Sequence, residues 1–211
     1  MKHFLPGVIA MAIIVVASNI LVQFLLGDWL TWGAITYPFA FLVTDLMNRF
    51  YGPAMARRVV LAGFVTGVIC SLVGSQIEGQ FGPLVSVRVA IGSGTAFLVA
   101  QMMDVAIFDR LREGRWWRAP LVSSLVGSVL DTTIFFSIAF ATQLSFIWPA
   151  DDVSWANDAV PVLGFGPLAP LWVSLAIADS SLKFALSLIA LLPFRAAVTK
   201  LSPQSARINL S

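Results

Sequence analysis

Six ionisable side chains stand inside otherwise apolar stretches of this sequence: Asp45, Arg88, Asp104, Asp131, Asp179 and Lys183. A charge removed from water needs a counter-charge, a hydrogen-bonding ligand or a route to solvent. Asp179 and Lys183 are four residues apart and share one helical face, with the acid first, the favourable order. They form either a self-neutralising structural pair or a pair that opens to meet a ligand. Ser124, Ser128 and Asp131 make a polar stripe with Thr132 and Phe135 near its edge; Ser93, Phe97, Gln101 and Asp104 make a second. Two stripes with a carboxylate each point to a polar cavity between helices. The alternative is hydrogen-bonding glue between helices, which Gly92, Gly94 and Gly127 would assist by close packing. Arg88 either snorkels to a polar surface or stands at the cavity mouth. Asp45, with Pro38 before it and Gly52-Pro53 behind, either pairs with Arg49 at i+4 or caps a break near Pro38, where a helix loses a hydrogen bond. Asn19 and Gln23 give a further segment one polar face, a pattern suited to packing.

Several chemistries are absent. His3 is the only histidine and Cys70 the only cysteine, so neither a zinc site of Cys and His ligands nor a Ser-His constellation can be assembled. An enzyme would have to work with carboxylates alone. The expectation is a protein that transports or binds a solute, without metal or cofactor and without a nucleic-acid partner.

The elements that position these residues follow from composition. The chain of 211 residues is 58% hydrophobic and 11% charged, against about 25% charged in a soluble domain, and its mean hydropathy is +0.88. A spanning helix takes about 20 apolar residues, and six runs qualify, at about 6–26, 32–50, 59–77, 84–108, 119–141 and 168–193. The first has a basic start but is too long for a signal-peptide core, so it reads as a retained helix. The expected fold is all-α: one polytopic membrane domain over residues 1–211, with six transmembrane helices. Lys and Arg accumulate at cytoplasmic ends. With both termini inside, Lys2, Arg49, Arg57, Arg58, Arg110, Arg112, Arg115, Arg118, Arg195, Lys200 and Arg207 all fall on the inner side, eleven of thirteen cations. Asp28, Glu78, Asp151, Asp152 and Asp158 fall outside. The tryptophans cluster near span ends or in the outer loop, where their amphipathic rings belong.

Three ordered stretches carry a resemblance: TWGAITYPFAFLVTDLMNRFYGPAMARR, then RVAIGSGTAFLVAQMMDVAIFDRLREGRWWRAPLVSSLVGSVLDTTIFFSIAF, then ADSSLKFALSLIALLP. Over roughly residues 19–193 the chain resembles the bacterial queuosine precursor transporters. The run TDL…R…YG…ARR, an Arg followed after twelve residues by Gln-x-x-Asp, LDTxxFFxIAF and Asp-x-x-x-Lys occur in order. The resemblance implies a multi-pass importer of the cell inner membrane. Its cargo would be 7-deazaguanine precursors of a tRNA nucleoside, 7-cyano-7-deazaguanine and its aminomethyl relative. It also suggests a six-helix fold related to the substrate-binding membrane subunits of energy-coupling-factor transporters, and such a subunit is the alternative function.

A 7-deazaguanine presents two adjacent donors and a carbonyl on one edge. A carboxylate can accept both donors while an amide or cation meets the carbonyl, and a ring such as Phe39, Phe97, Phe135 or Phe136 can stack on its face. The substrate-binding candidates are therefore Asp131 or Asp104 for the edge, Gln101 for the carbonyl, and Lys183 or Arg88 to complete the polar set, with Asp179 beside Lys183. Where relatives often carry an amide three residues before Asp131, this chain has Ser128, which either works through a bridging water or makes no direct contact. Asp45, Arg57 and Arg58 are expected to form an inner-side element that gates or shapes the exit.

Overall fold

The computed structural model describes residues 4–80 and 82–201; Lys2, His3 and Arg207, which entered the charge and chemistry arguments above, lie outside them. Seven α-helices dominate the described residues: α1 (Leu5–Leu21), α2 (Trp32–Thr36), α3 (Phe39–Tyr51), α4 (Pro53–Gly74), α5 (Val87–Leu111), α6 (Arg118–Phe140) and α7 (Leu171–Leu201). Four of them, α4 to α7, are long and apolar enough to cross a membrane. Helix α1 has 17 residues, about 26 Å at 1.5 Å per residue.

The expected second span, 32–50, is two helices rather than one. Pro38 has no N–H to return to the chain, and the backbone tightens there: Ala40 N–H donates to Tyr37 O at 2.9 Å and Phe41 N–H to Pro38 O at 3.1 Å. These three-residue closures separate α2 from α3. The third span starts at Pro53, not near 59, because Gly52 adopts φ +82° and Pro53 opens α4 immediately, a favourable first helical residue. A single residue therefore joins α3 to α4. At the other end of the chain, Pro193 does not stop α7, which continues to Leu201 at the loss of one backbone hydrogen bond. Helix α1 ends earlier than its apolar run because Gly27, at φ +67°, turns the chain between strands β1 (Leu25–Leu26) and β2 (Leu30–Thr31).

With α2 and α3 taken as one broken unit, every second connection carries a short antiparallel hairpin: β1 with β2, then β3 (Glu78–Gly79) with β4 (Gly82–Pro83), then β5 (Ala159–Pro161) with β6 (Leu168–Pro170). These connections hold the acids assigned above to the outer side. In the longest of them the Ser154 amide donates to Asp152 at 2.9 Å. The alternate connections are Gly52 and the stretch 112–117, flanked by arginines.

Helices α5 and α6 pack antiparallel along most of their length. Gly92 makes this possible: a Cβ there would stand 3.3 Å from Phe135 O and 3.4 Å from Ala139 N, the backbone of α6. One core joins α1, α3, α4 and α5 through Met11, Val15, Met47, Val59, Val60 and Phe97; a second, near the ends of α5 and α7, holds Phe108, Ala119, Phe194 and Val198. Large apolar side chains remain outside, including Ile9 and Ile13 on α1, Val65 and Leu72 on α4, and Leu188 and Leu192 on α7. Apolar surface that turns outward from a bundle with buried charges belongs against lipid.

Candidate functional site

The buried face of α3 runs Ala40, Phe41, Thr44, Asp45, Met47 and Asn48, the three- and four-residue spacing of one helical stripe. It meets the polar stripes of α5 and α6, and α7 closes against α6. Asp45, Asp104, Asp131, Asp179, Gln101, Ser128 and Lys183 are all buried, and they divide into two groups.

In the first, Lys183 Nζ lies 2.7 Å from Asp131 Oδ2 and 2.5 Å from Asp179 Oδ2, and donates to Thr132 Oγ1 at 3.0 Å. The three ammonium protons thus have three oxygen acceptors. The Thr132 hydroxyl donates to Asp179 Oδ2 at 2.6 Å. Tyr37, at the break between α2 and α3, donates to Asp131 Oδ1 at 2.8 Å, and Lys183 Nζ stands 5.3 Å from its ring centroid. The i+4 pair of the sequence is present, but it is one side of a larger network that ties the broken helix to α6 and α7. Buried ion pairs of this kind require such supporting hydrogen bonds.

The second group is only partly satisfied. Asp45 accepts from Ser123 and Ser124, each at 3.3 Å. Asp104 faces Asp45 and lies beside Ser123, yet neither of its oxygens accepts a hydrogen bond from a described donor. Thr44 Oγ1 lies 2.6 Å from Gln101 Oε1 and 3.0 Å from Ala40 O. Thr44 thus bridges the α3 backbone and the Gln101 amide, whose Nε2 has no partner among the described residues. Ser128 Oγ and Asn48 Oδ1 also lack partners, although Asn48 Nδ2 donates to Val105 O at 3.0 Å. Buried polar atoms without partners are costly, and here they gather on the facing sides of α3, α5 and α6. A narrow crevice between α3, α6 and α7, with a cavity volume of about 40 Å³, reaches Asp45, Ser124 and Ser187. Asp104 and Gln101 do not line it.

Two expectations are corrected. Asp45 does not pair with Arg49, whose Nη1 donates instead to Arg112 O at 2.9 Å; the α3 stripe turns Asp45 inward to the serines of α6. Arg88 does not snorkel: it is fully buried. Its Nε donates to Ile138 O at 2.9 Å, its Nη2 to Ala141 O at 2.7 Å and its Nη1 to Ser145 Oγ at 3.2 Å. The carbonyls that end α6 have no intrahelical donors, and the guanidinium supplies them. Its backbone N–H also holds Asp151 Oδ2 at 2.8 Å. Arg88 thus stands apart from both polar groups. Arg57 and Arg58 are exposed on the first turns of α4, away from the buried side chains.

Tyr37, Thr44, Asn48 and Ser123 were not singled out in the sequence. Thr44 and Asn48 share the face of Asp45 at i−1 and i+3, and Tyr37 immediately precedes the proline of the break; both signals were available in the spacing.

A bundle of apolar helices around buried charges is the architecture of a multi-pass membrane protein. Comparison with known proteins agrees. Residues 31–198 match the family described as "Putative vitamin uptake transporter". The chain is 35% identical over 196 residues to the "Queuosine precursor transporter" of Escherichia coli (strain K12), covering 86% of this chain and 79% of that protein. It is 30% identical over 203 residues to the "Probable queuosine precursor transporter" of Bacillus subtilis (strain 168), covering 87% and 77%. A 121-residue match to the protein of the same name from Haemophilus influenzae, covering 52% of each chain, is 41% identical. The chain belongs to the queuosine precursor transporter family. No solved structure matches it.

Proposed function

We propose that this protein imports 7-deazaguanine precursors of queuosine, 7-cyano-7-deazaguanine and its aminomethyl form, across the inner membrane. The bundle would cross six times, with α2 and α3 together forming one crossing and both termini in the cytoplasm. The alternation of hairpins with arginine-flanked turns supports that count.

One observation carries the substrate reading. The unpartnered atoms of Asp104 and Gln101, three residues apart on α5, are two acceptor oxygens and one donor nitrogen. A guanine-type edge offers two adjacent donors and one acceptor, the complement of that set. Asp131 was an equal candidate in the sequence, but its two oxygens already serve Tyr37 and Lys183, so Asp104 is the better reader of the edge. Asp45 and Asp104 face each other, and two facing carboxyl groups do not both ionise readily; donors brought by the substrate would favour the carboxylate form of Asp104. An adenine-type edge would oppose acceptor to acceptor and leave buried groups unpaired. Phe97, one turn before Gln101, supplies a ring near the same face. Asp131, Asp179 and Lys183 then fix α6 and α7 around the site, and Asp45, at the end of the crevice, serves the path to it.

Complementation tests the proposal. A strain unable to make or import precursor, given this chain and external 7-cyano-7-deazaguanine, regains queuosine in its tRNA. Asp104→Asn loses the rescue at unchanged membrane abundance. Failure of the wild-type chain to rescue with any precursor overturns the function; rescue by Asp104→Asn overturns only the site. Using a host without coupling-factor ATPases also decides whether the chain works as a solitary transporter.

A further inference from the structure

At the end of the bundle where α3 and α5 finish, Arg49, Arg112 and Arg195 line a shallow surface cleft with Trp116, Phe108 and Phe194 in its walls. Three helices contribute one cation each, and the stretch before α6 contributes the tryptophan. The recess begins about one turn beyond the acid pair, since Arg49 follows Asp45 and Phe108 follows Asp104 by four residues, and it plays no part in the substrate reading.

The arginines are held in place without being neutralised. Arg49 Nη1 donates to Arg112 O at 2.9 Å, and Arg112 Nη2 reaches Arg49 O at 3.5 Å. Each therefore covers a carbonyl at the end of the other's helix, an arrangement that fixes position but cancels no formal charge. The Arg195 guanidinium carbon stands 5.0 Å from the Trp116 ring centroid, a cation–π contact that orients it. Among the described residues, the one carboxylate paired with the cluster is Asp109, 3.2 Å from Arg112 at a partly exposed position. Three guanidinium groups thus face one acid. Their planar forks match phosphate oxygens, and among the described residues only Arg49 and Arg112 have hydrogen-bond acceptors, at Arg112 O, Arg49 O and Asp109.

The floor of the recess is apolar. Phe108 and Phe194 pack edge to face at 6.0 Å, and just beyond them α7 exposes Leu188 and Leu192 outward. A ligand with a phosphate at one end and hydrocarbon at the other would meet cations in the recess and apolar surface along α7. Basic pockets between helices at the cytoplasmic face, with tryptophan at headgroup level, suit anionic lipid headgroups. We propose that this recess binds a phosphate group, and that the phosphate is the phosphodiester of an anionic phospholipid which clamps the ends of α3, α5 and α7 together. Free inorganic phosphate shares the headgroup chemistry but not the acyl chains.

The test uses the full-length protein, delipidated in a neutral detergent. Phosphatidylglycerol, phosphatidylcholine and inorganic phosphate are added in separate arms, and retained lipid is counted by native mass spectrometry alongside the thermal midpoint. Phosphatidylglycerol is expected to bind and raise the midpoint. Arg195→Gln should weaken that binding by about tenfold, the loss of one charge-assisted contact. Arg58→Gln, on the same side but outside the recess, should leave it unchanged. Arg195→Lys, which keeps the charge but loses the fork, should fall between wild type and Arg195→Gln, and it also provides a folded comparator. Equal binding of phosphatidylcholine, or phosphatidylglycerol binding untouched in Arg195→Gln, overturns the proposal. Equal stabilisation by inorganic phosphate alone overturns the lipid assignment and gives the recess to the free anion.

Discussion

Tyr37 donates its hydroxyl proton to Asp131 across 94 residues of sequence, at 2.8 Å. The bond joins the break in a discontinuous helix to the buried ion network of α6 and α7, and the Tyr37 ring packs edge-on against Phe41 and Phe97. Helices interrupted near mid-membrane line binding sites in many transporters. Here the interruption is tied to α6 by the phenol and to α1 by the hydroxyl pair of Thr36 and Ser18, 2.9 Å apart.

Tyr37→Phe removes that bond and keeps the ring. A hydrogen bond to a charged group contributes about 1.5–3 kcal/mol, so the purified variant should unfold at lower temperature while still inserting. Uptake per molecule in the membrane should fall. Uptake equal to wild type would show that the bond is structural only.

Thr44→Val deletes the donor that orients Gln101. Without it the Gln101 amide is free to turn, and the proposed contact to the substrate carbonyl loses its preorganisation. The KM for 7-cyano-7-deazaguanine uptake should rise by about tenfold with little change in maximal rate. An unchanged KM would remove Gln101 from the recognition set.

Lys183→Met leaves Asp131 and Asp179 buried without their cation. Breaking a buried pair from one side costs about 3–5 kcal/mol, and membrane abundance should drop accordingly. The triple variant Lys183→Met, Asp131→Asn, Asp179→Asn removes the uncompensated charges with it and should recover much of the lost stability. A triple variant as unstable as the single one would contradict the electrostatic account.

Arg88→Lys replaces a fork that reaches three separate acceptors, Ile138 O, Ala141 O and Ser145 Oγ, with a single ammonium. The guanidinium, not the charge, is what the end of α6 needs, so Lys should rescue poorly and protease sensitivity in residues 141–151 should increase. Protection equal to wild type in Arg88→Lys would refute this role.

Much of this arrangement was legible in the sequence, and the parts that were not share a cause. The apolar runs and the i+4 spacing of Asp179 and Lys183 are local properties, and each run holds helix and the ion pair forms, although the breaks and ends set by Pro38, Gly52 and Pro193 move several helix bounds. Partner choice across helices is not local. Nothing near Asp45 reveals that its acceptors serve Ser123 and Ser124, 78 and 79 residues away, or that Arg49 turns instead to a backbone carbonyl. Arg88 looked like a residue seeking a polar surface because its real partners, the last carbonyls of α6, carry no side-chain signature. The break at Pro38 was visible, but the phenol beside it gains meaning only once α6 is placed against it.

The one-residue joint at Gly52 limits how this bundle can move. With Pro53 rigid on one side and Tyr51 helical on the other, α3 cannot slide along its axis without dragging α4. Swinging about Gly52 is the motion left to it, and the far end of that swing is the break at Tyr37 and Pro38. Helix α3 is thus held at the basic end of the bundle by a one-residue joint and at its other end by the Tyr37–Asp131 bond, so those two points bear any strain put on it.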